Sequence, residues 1–368
     1  KWCKVLLTDT NCTQVYVPAY CGHGFYTLED DTNALYLQEG CFDPAKENDT
    51  NPFDPFINVQ WPIKNANLPT LSDKDARAAN LSARLTVPSH PRKRILIIGG
   101  SGQIGNALIH RLGSVNCVGT YCHSKHTDGM IHFDMEKADT VGYTETLFEM
   151  IMPTHVFICT GFTWVDGCEY DKDKCDRLNH RMPAHVCNVA TRYSCKTIWF
   201  STDYVFDGLC GPYTEDSVPN PINEYGRAKW RGEQALSTID SSSLILRTNV
   251  VYGPDPNRKN FLCQLLDDKI RNIPSDQFGT PTYNRDIARA CEYLMDQNMS
   301  GIFHITGNEY VSRQEFALKI IAHHNLTGSY EYITTDALGQ TAPRPLRAGL
   351  QNTKLPRFEP LSIAESLK

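Results

Sequence analysis

The chain has 368 residues, enough for two or three domains at roughly 150 residues each. Hydrophobic residues make up 41% and charged residues 21%, which excludes a wholly disordered chain. The net charge of −6 provides no global basic field, so we expect no nucleic-acid partner. No apolar run approaches the roughly 20 residues of a membrane span, so we expect no membrane partner.

The 14 cysteines show no C-x-x-C pair and no clustering with histidine at the spacing of a zinc site. We therefore predict free, reduced thiols, no metal and a cytoplasmic protein. The first residues, Lys1-Trp2-Cys3, are neither a signal peptide nor an initiator methionine, so we expect the chain to begin inside a longer protein.

Residues 1–87 are predicted to form a partial all-β segment. Three β-rich stretches are separated by turn-forming residues; they are Cys3–Leu7, Gln14–Val17 and Ala34–Leu37. Residues 72–76 begin a polar, Ala-rich stretch that is predicted to be helical, and the prolines of residues 88–93 predict an extended linker.

Strand and helix patterns alternate over residues 94–250, which predicts an α/β domain with a Rossmann-type, doubly wound parallel sheet. The predicted strands are 95–98, 115–121, 155–160, 197–201 and 243–246, and a helix is predicted at 104–112. The pattern is less regular over residues 251–368, which we interpret as a small C-terminal substrate-binding region interleaved with the Rossmann domain.

Residues 99–105 (GGSGQIG) contain the pattern G-x-x-G-x-x-G between a buried strand and a helix. Such glycines permit a tight turn, a close approach of the pyrophosphate and close helix–strand packing, while the helix N-terminus favours phosphate. This turn predicts a dinucleotide site; a purely structural turn is the alternative. The predicted cofactor contacts in it are Gly99, Gly102, Gln103, Ile104 and Gly105.

The end of the next strand, residues 119–126, carries no acidic residue that could hold the ribose 2′-hydroxyl of NAD. Ser124 and Lys125 suit a 2′-phosphate instead, so we predict NADPH as the cofactor; solvated loop residues are the alternative. Asp134 could contact the adenine or could be a turn residue.

Thr202 follows a buried strand, and Tyr225 and Lys229 form a Tyr-x-x-x-Lys pair. Residues four apart share one face of a helix. We predict that the Lys229 ammonium lowers the pKa of Tyr225, which then gives a proton to a carbonyl oxygen that Thr202 also binds. Lys229 could also hold the nicotinamide ribose, and an exposed helical pair is the alternative.

Residues 201–208 (STDYVFDG), 225–229 (YGRAK) and 246–253 (LRTNVVYG) resemble signature blocks of the extended short-chain dehydrogenase/reductases, and of dTDP-4-dehydrorhamnose reductases in particular. The resemblance covers about residues 93–368. It implies NADPH and reduction of the C4 keto group of a nucleotide-linked 6-deoxyhexose. It also implies a catalytic role for Thr202, Tyr225 and Lys229, and substrate contacts from Thr202, Tyr225, Asn249 and Arg344.

Two other functions are compatible with this reading. The regulatory β subunit of methionine adenosyltransferase shares the fold, and residues 165–169 (VDGCE) resemble both branches. A sugar-nucleotide 4-epimerase would recycle NAD, which the lack of an acid in residues 119–126 disfavours. The reductase resemblance is compatible with a homodimer.

Residues 16–25 (YVPAYCGHGF), 51–55 and 72–76 resemble dTDP-4-dehydrorhamnose 3,5-epimerases, which are cupin-type barrels. The resemblance places His23 in a pocket, Tyr36 as an acid and Asp75 as the partner carboxylate; a packed core histidine is the alternative for His23. The family's catalytic His and Lys come from the half of the barrel that precedes this segment. We therefore expect either a fragment of a fused epimerase–reductase or a decayed, structural remnant.

Overall fold

The computed structural model describes residues 4–11, 13–15, 17, 23–35, 49–54, 59–62, 70–80, 93–113, 116–124, 129–355 and 357–368. The chain divides into two compact units, Lys1–Arg92 and Lys93–Lys368. Tyr36, Lys125 and residues 88–92 of the predicted linker lie outside the described residues. The domain boundaries within the chain stay predictions.

The first unit contains one short helix, α1 (Asp73–Arg77), and its described residues form no strand. The strands predicted at 3–7, 14–17 and 34–37 are therefore not confirmed over the residues described. A strand requires a neighbour that pairs with its backbone, and Val5 and Leu35 are 50% and 92% exposed rather than packed on a sheet face.

The second unit is built on a seven-stranded sheet whose strands are all parallel. In chain order they are β1 (Ile95–Ile98), β2 (Cys117–Tyr121), β3 (Ile131–His132), β4 (His155–Ile158), β5 (Lys196–Thr202), β6 (Leu244–Thr248) and β11 (Gly301–His304). Their order in the sheet is β11-β6-β5-β4-β1-β2-β3. From β1 the strands β2 and β3 are added toward one edge of the sheet, whereas β4, β5 and β6 are added toward the other edge. Open α/β sheets bind ligands at such a switch point, which here lies between β1 and β4.

The remaining elements flank this sheet or form the C-terminal region. The helices are α2 (Gln103–Leu112), α3 (Tyr143–Ile151), α4 (Val165–Tyr170), α5 (Lys172–Asp176), α6 (Met182–Arg192), α7 (Glu224–Ile239), α8 (Phe261–Leu266), α9 (Asn284–Asp296), α10 (Arg313–His324) and α11 (Ile363–Ser366). The short strands are β7 (Val251–Tyr252), β8 (Asn272–Pro274), β9 (Phe278–Gly279), β10 (Thr282–Tyr283), β12 (Val311–Ser312) and β13 (Glu331–Ile333).

The apolar run of β1 explains why the sheet is covered on both faces. Ile95 and Ile97 belong to a core cluster with Leu108 of α2, whereas Leu96 and Ile98 belong to a second cluster with Phe148 of α3. Successive side chains of a strand point to opposite faces, so an unbroken apolar strand needs helices on each side. The predicted Rossmann-type fold is confirmed.

The C-terminal region contributes directly to the main sheet. Strand β11 pairs with β6, and α9 packs against α2 on one face of the sheet. Neither β3 nor β11 was predicted: β3 has only two residues, and β11 is a short strand that pairs with β6, far earlier in the chain. A third apolar cluster around Phe316, Ile320 and Tyr252 forms the core of the C-terminal region itself.

The ten cysteines that the structure describes are all free, and seven of them are buried. None of the described helices is both long enough and apolar enough to cross a bilayer. The described residues also contain no group of three or more His, Cys, Asp or Glu side chains placed to hold a metal ion.

Candidate functional site

The glycine turn connects β1 to α2 at the carboxyl edge of the sheet. Gly99 has a φ of +87°, a conformation that residues with a Cβ rarely adopt. A Cβ on Gly105 would lie 2.3 Å from the Gly99 carbonyl oxygen, so the start of α2 can approach the turn only without a side chain there. Gly102 is the N-cap and offers no side chain to satisfy the first N–H groups of α2. The turn therefore leaves those groups available to an anion.

Two asparagines that sequence reasoning missed tie the loop after β7 to this turn. The Asn257 side-chain amide donates to the Ser101 carbonyl at 2.7 Å, and its oxygen accepts from the Ser124 hydroxyl at 3.1 Å. The Asn260 amide donates to the Gln103 side chain at 3.1 Å. Asn257 thus joins the glycine turn to the end of β2, the two places predicted to contact the cofactor.

Asp134 has a local structural role. One of its carboxylate oxygens accepts from the backbone N–H of Glu136 at 3.0 Å and so caps a 3₁₀ turn over residues 135–137. The other lies 3.6 Å from the ammonium of Lys137. These contacts favour the turn-residue interpretation over an adenine contact.

The structure brings Thr202 and Tyr225 together, with Lys229 one helical turn beyond. Thr202 ends β5, whereas Tyr225 and Lys229 lie on the buried face of α7. Their exposed fractions are 6%, 8% and 4%, so all three are shielded from bulk water. The Thr202 hydroxyl donates to Asp203 at 3.2 Å and lies close enough to Tyr225 to lower the pKa of that phenol. The Tyr204 ring packs edge-on against the Tyr225 ring, with centroids 5.6 Å apart.

The predicted lowering of the Tyr225 pKa is wrong for this structure. Burial raises the pKa of Tyr225, and the nearby Thr202 hydroxyl opposes that rise. The buried carboxyl group of Asp203 raises it further. Tyr225 is therefore a neutral phenol that holds its proton.

The Lys229 ammonium is directed to the end of β5 instead. It donates to the carbonyl of Phe200 at 2.8 Å and lies 4.5 Å from the centroid of the Trp199 ring. Burial lowers the pKa of Lys229 to about 8, and the nearby carboxylate of Glu233 opposes that change. The Lys229 ammonium therefore interacts with the Phe200 carbonyl and the Trp199 ring of β5 rather than with the Tyr225 phenol.

A buried ion pair lies beneath this lysine. Arg247 donates to both oxygens of Glu233, at 2.9 and 2.6 Å, and the two side chains are 2% and 3% exposed. Ser201 donates to the same carboxylate at 2.5 Å, and the third arginine nitrogen lies 3.4 Å from Nε2 of His304. A buried pair is tolerated where further hydrogen bonds satisfy it, as they do here.

Asn249, predicted to contact substrate, is committed to protein partners. Its amide donates to the carboxylate of Asp203, and its oxygen accepts from the backbone N–H of Thr280 at 2.8 Å. Asp203 also accepts from Thr202 at 3.2 Å, while burial raises the pKa of Asp203 to about 6. Asn249 therefore orients Asp203 below the candidate catalytic hydroxyls.

Arg344, the other predicted substrate contact from the C-terminal region, is paired. Its guanidinium donates to Asp166 at 3.0 Å and to the Ala342 carbonyl at 2.9 Å. Asp166 lies in the 165–169 segment that the sequence analysis singled out. The pair fixes residues 342–345 over the start of α7, where the Asn223 amide donates to the carbonyl of Pro343 at 2.8 Å.

A cleft with an empty volume of about 360 Å³ opens beside these groups. The chain segments that line it come from the ends of β5 and β6, from β9, from the start of α10 and from the 345–348 segment. The lining side chains that bear on function are Asp203, Tyr204, Asn249, Gln277, Phe278 and Arg313.

The described residues fit a dinucleotide. The Gly99–Gly105 contact leaves a cradle that a Cβ would fill, and α2 presents its N-terminus to it. The Thr160 hydroxyl, which follows β4 at the same edge, is buried and has no hydrogen-bond partner in the part of the chain described. Lys125, predicted to read the 2′-phosphate, lies outside the described residues, and the Ser124 hydroxyl is already held by Asn257.

The epimerase-like residues belong to the first unit. His23 is exposed, and Tyr36 lies outside the described residues. The Asp75 carboxylate accepts from the Ser72 hydroxyl at 2.7 Å, and that hydroxyl caps α1 by accepting from the Asp75 N–H at 3.1 Å. The contacts described for Asp75 are those of a helix start.

Residues 93–364, well over half of the chain, match the RmlD substrate binding domain. The chain belongs to the RmlD substrate binding domain family. Residues 1–83 match the dTDP-4-dehydrorhamnose 3,5-epimerase family. Both resemblances predicted from the sequence are confirmed.

Among RmlD-like relatives, the spore coat polysaccharide biosynthesis protein SpsK of Bacillus subtilis is 30% identical over 255 residues, 68% of this chain and 87% of that protein. Methionine adenosyltransferase 2 subunit beta of Bos taurus is 28% identical over 276 residues, 72% of this chain and 82% of that protein. The crystal structure of dTDP-4-dehydrorhamnose reductase from Bacillus anthracis in complex with NADP is similar with a TM-score of 0.66 and 26% identity, covering 75% of this chain and 98% of that one.

Proposed function

We propose that the protein reduces the C4 keto group of a nucleotide-linked 4-keto-6-deoxyhexose, dTDP- or UDP-4-dehydrorhamnose, with NADPH. The observation that carries the proposal is that Thr202 and Tyr225 are buried near one another at the end of β5, at the same edge of the sheet as the glycine turn. The similarity to a dTDP-4-dehydrorhamnose reductase in complex with NADP supports the same reaction.

Tyr225 is the proton donor in this proposal. A general acid must hold its proton until the carbonyl oxygen becomes basic, and burial raises the pKa of Tyr225 in the direction that keeps the phenol protonated. Thr202, whose hydroxyl lies near the phenol, would donate to the same carbonyl oxygen. The two hydroxyls then stabilise the negative charge that develops on that oxygen.

Lys229 and the glycine turn would hold the cofactor, which supplies a hydride to the carbonyl carbon when bound. The turn at Gly99–Gly105 and the N-terminus of α2 suit the pyrophosphate, and the Lys229 ammonium lies at the carboxyl end of β5 where a ribose hydroxyl could replace the Phe200 carbonyl as its acceptor. The absence of an acidic residue in 119–126 favours NADPH over NADH.

The test is NADPH oxidation by the full chain with each of the two 4-keto sugar nucleotides, with the product identified by mass and stereochemistry. We expect loss of NADPH absorbance with at least one of them. Tyr225→Phe should reduce kcat by roughly 100- to 10,000-fold, since general acid catalysis contributes about that much. Its dissociation constant for NADPH should stay within about twofold of that of the unmodified protein; equal loss of NADPH binding would contradict the assigned role.

The epimerase-like unit suggests that the reductase is one part of a bifunctional 3,5-epimerase/4-reductase. The two reactions are consecutive in making a nucleotide-linked 6-deoxy-L-sugar, which gives their fusion a chemical reason.

The similarity to methionine adenosyltransferase 2 subunit beta favours one alternative, an NADP-binding regulatory subunit. Mixing the purified protein with a methionine adenosyltransferase catalytic subunit and measuring complex size and synthetase rate separates the two functions. A change in synthetase rate together with no NADPH oxidation on either sugar nucleotide would favour the regulatory role.

A further inference from the structure

The cleft beside Tyr225 contains a guanidinium group that the proposed mechanism does not use. Arg313 is the first residue of α10, and its backbone N–H donates to the Gln277 carbonyl at 2.7 Å. Its side chain lines the cleft and lies with its guanidinium carbon 4.9 Å from the centroid of the Phe261 ring. The ring supports the flat face of the group and leaves its N–H edge for another partner.

No carboxylate within the described part of residues 93–368 forms an ion pair with Arg313, and the side chain donates no hydrogen bond there. Burial lowers the pKa of Arg313, and the nearby carboxylate of Asp203 opposes that change. Asp203 forms no ion pair with Arg313 among the described residues, and its oxygens accept from Thr202, Asn249 and the Gly349 N–H instead. The Arg313 side chain is only partly buried, so a guanidinium without a carboxylate partner remains available to an anionic ligand that enters the cleft.

Arg344 provides an internal comparison. The guanidinium groups of Arg313 and Arg344 both act to lower the pKa of Tyr204, whose ring contacts the ring of Tyr225. Both groups therefore lie near the candidate catalytic phenol. Arg344 is neutralised by Asp166 at 3.0 Å, whereas Arg313 has no such partner among the described residues. The unneutralised positive charge of the cleft is therefore on Arg313.

We propose that Arg313 binds the diphosphate of the nucleotide-linked substrate and thereby selects nucleotide-linked sugars over uncharged ones. This inference rests on the proposed function for the identity of the substrate. A guanidinium presents paired N–H donors that match two phosphate oxygens, and charge-assisted bonds of this kind are the strong ones. Binding of the diphosphate to α10 on one side of the cleft would leave the attached sugar near Tyr204 and Tyr225.

The test uses dTDP and UDP as probes, because nucleoside diphosphate binding can be measured by calorimetry on the full chain without turnover. We expect the unmodified protein, loaded with NADPH, to bind at least one of them, and Arg313→Gln to weaken that binding roughly 10- to 100-fold. Arg313→Lys, which keeps the charge but loses the paired donors, should fall between the two. Binding of dTMP or UMP should depend less on Arg313 than binding of the diphosphates.

Arg271→Gln is the matched control, since Arg271 is an exposed arginine paired with Asp268. It should bind the probes as the unmodified protein does, and unchanged NADPH affinity in every variant shows that the fold persists. Equal diphosphate affinity in Arg313→Gln and the unmodified protein would overturn the inference even if the protein reduces a 4-keto sugar nucleotide. Diphosphate binding that depends on Arg313, without any turnover, would uphold the inference while the proposed reaction failed.

Discussion

Burial sets the pH range over which the Lys229 side chain is charged. Its ammonium lies beneath the Phe200 carbonyl and against the Trp199 ring, in a place only 4% exposed. Desolvation disfavours the charged form, so the pKa of Lys229 falls from 10.5 to about 8. The group is then charged at neutral pH but loses its proton within a readily tested range.

We therefore predict that kcat/KM for ketone reduction falls as the pH rises through about 8. The charged form exists below that pKa and disappears above it, so activity that needs the ammonium must decline on the alkaline side. The measurement is kcat/KM between pH 6.5 and 10 with the cofactor saturating. Lys229→Arg, which stays charged over this whole range, should remove the alkaline decline from whatever activity it retains. A profile of the unmodified protein that stays flat to pH 10 would contradict the prediction.

At the scale of elements, the join between β1 and α2 depends on the absence of one side chain. The Gly105 Cα faces the Gly99 carbonyl and the Gly100 backbone so closely that a methyl group would lie 2.3 and 2.8 Å from them. Backbone atoms at a strand end cannot move aside as a flexible side chain can. The helix start and the phosphate cradle are therefore a single unit.

Gly105→Ala should consequently displace α2 and damage the cofactor site. We expect the free energy of unfolding to drop by about 1–3 kcal/mol, typical of overpacking a tight contact, and NADPH binding to weaken by at least tenfold. Thermal unfolding and a fluorescence titration with NADPH measure the two effects. His110→Ala changes an exposed position on the same helix and should leave both values unaltered.

The elements that the sequence predicted well are those whose signal is local. The apolar run of β1, the glycine turn and the face shared by Tyr225 and Lys229 each depend on residues within a few positions of one another, and the structure has all three. The predicted direction of the Tyr225 pKa was wrong because it depends on the direction of the Lys229 side chain. That direction is set by the Phe200 carbonyl, 29 residues earlier in the chain.

Site residues that sequence reasoning missed are held by partners far away in the chain. Asn257 reaches Ser101 across 156 residues, and Asn260 reaches Gln103 across 157. Asparagine is common in loops, so no local pattern separates these two from solvent-exposed ones. The signature block at residues 246–253 directly precedes the loop that carries Asn257 and Asn260. This position was the available sequence signal for the two asparagines.

On the scale of the whole molecule, buried histidine links stability to pH. His304 is fully buried at the end of β11; its Nδ1 lies 3.1 Å from the Gln351 carbonyl, and its Nε2 faces the Arg247 guanidinium. An N–H on Nδ1 and a lone pair on Nε2 satisfy both neighbours, which requires the neutral ring. Burial and Arg247 lower the pKa of His304 to about 4, although Glu215 opposes them.

We predict that the protein loses stability as the pH falls from about 6.5 to about 4. Within that window the unfolded chain protonates His304 while the folded chain does not, so the unfolded state binds more protons and is favoured. The loss attributable to this residue is at most about 3 kcal/mol, from about 2.5 pKa units. Urea unfolding at pH 7 and pH 4.5, followed by tryptophan fluorescence, measures it.

His304→Gln should be less stable than the unmodified protein at pH 7 but should lose less on acidification. His110→Gln, at an exposed position, serves as the control and should keep the unmodified slope. Identical acid sensitivity in His304→Gln and the unmodified protein would assign the effect to other groups.

The pairing of β11 with β6 limits where the chain can be cut or recombined. Ending the chain at residue 250 would remove β11, the edge strand of the sheet. It would also expose the apolar surface that α9 covers. The C-terminal region is therefore not separable from the Rossmann-type sheet. A chimaera that takes its C-terminal region from another reductase must therefore include residues 301–304 and α9. Without them, we expect neither part of the chimaera to fold alone.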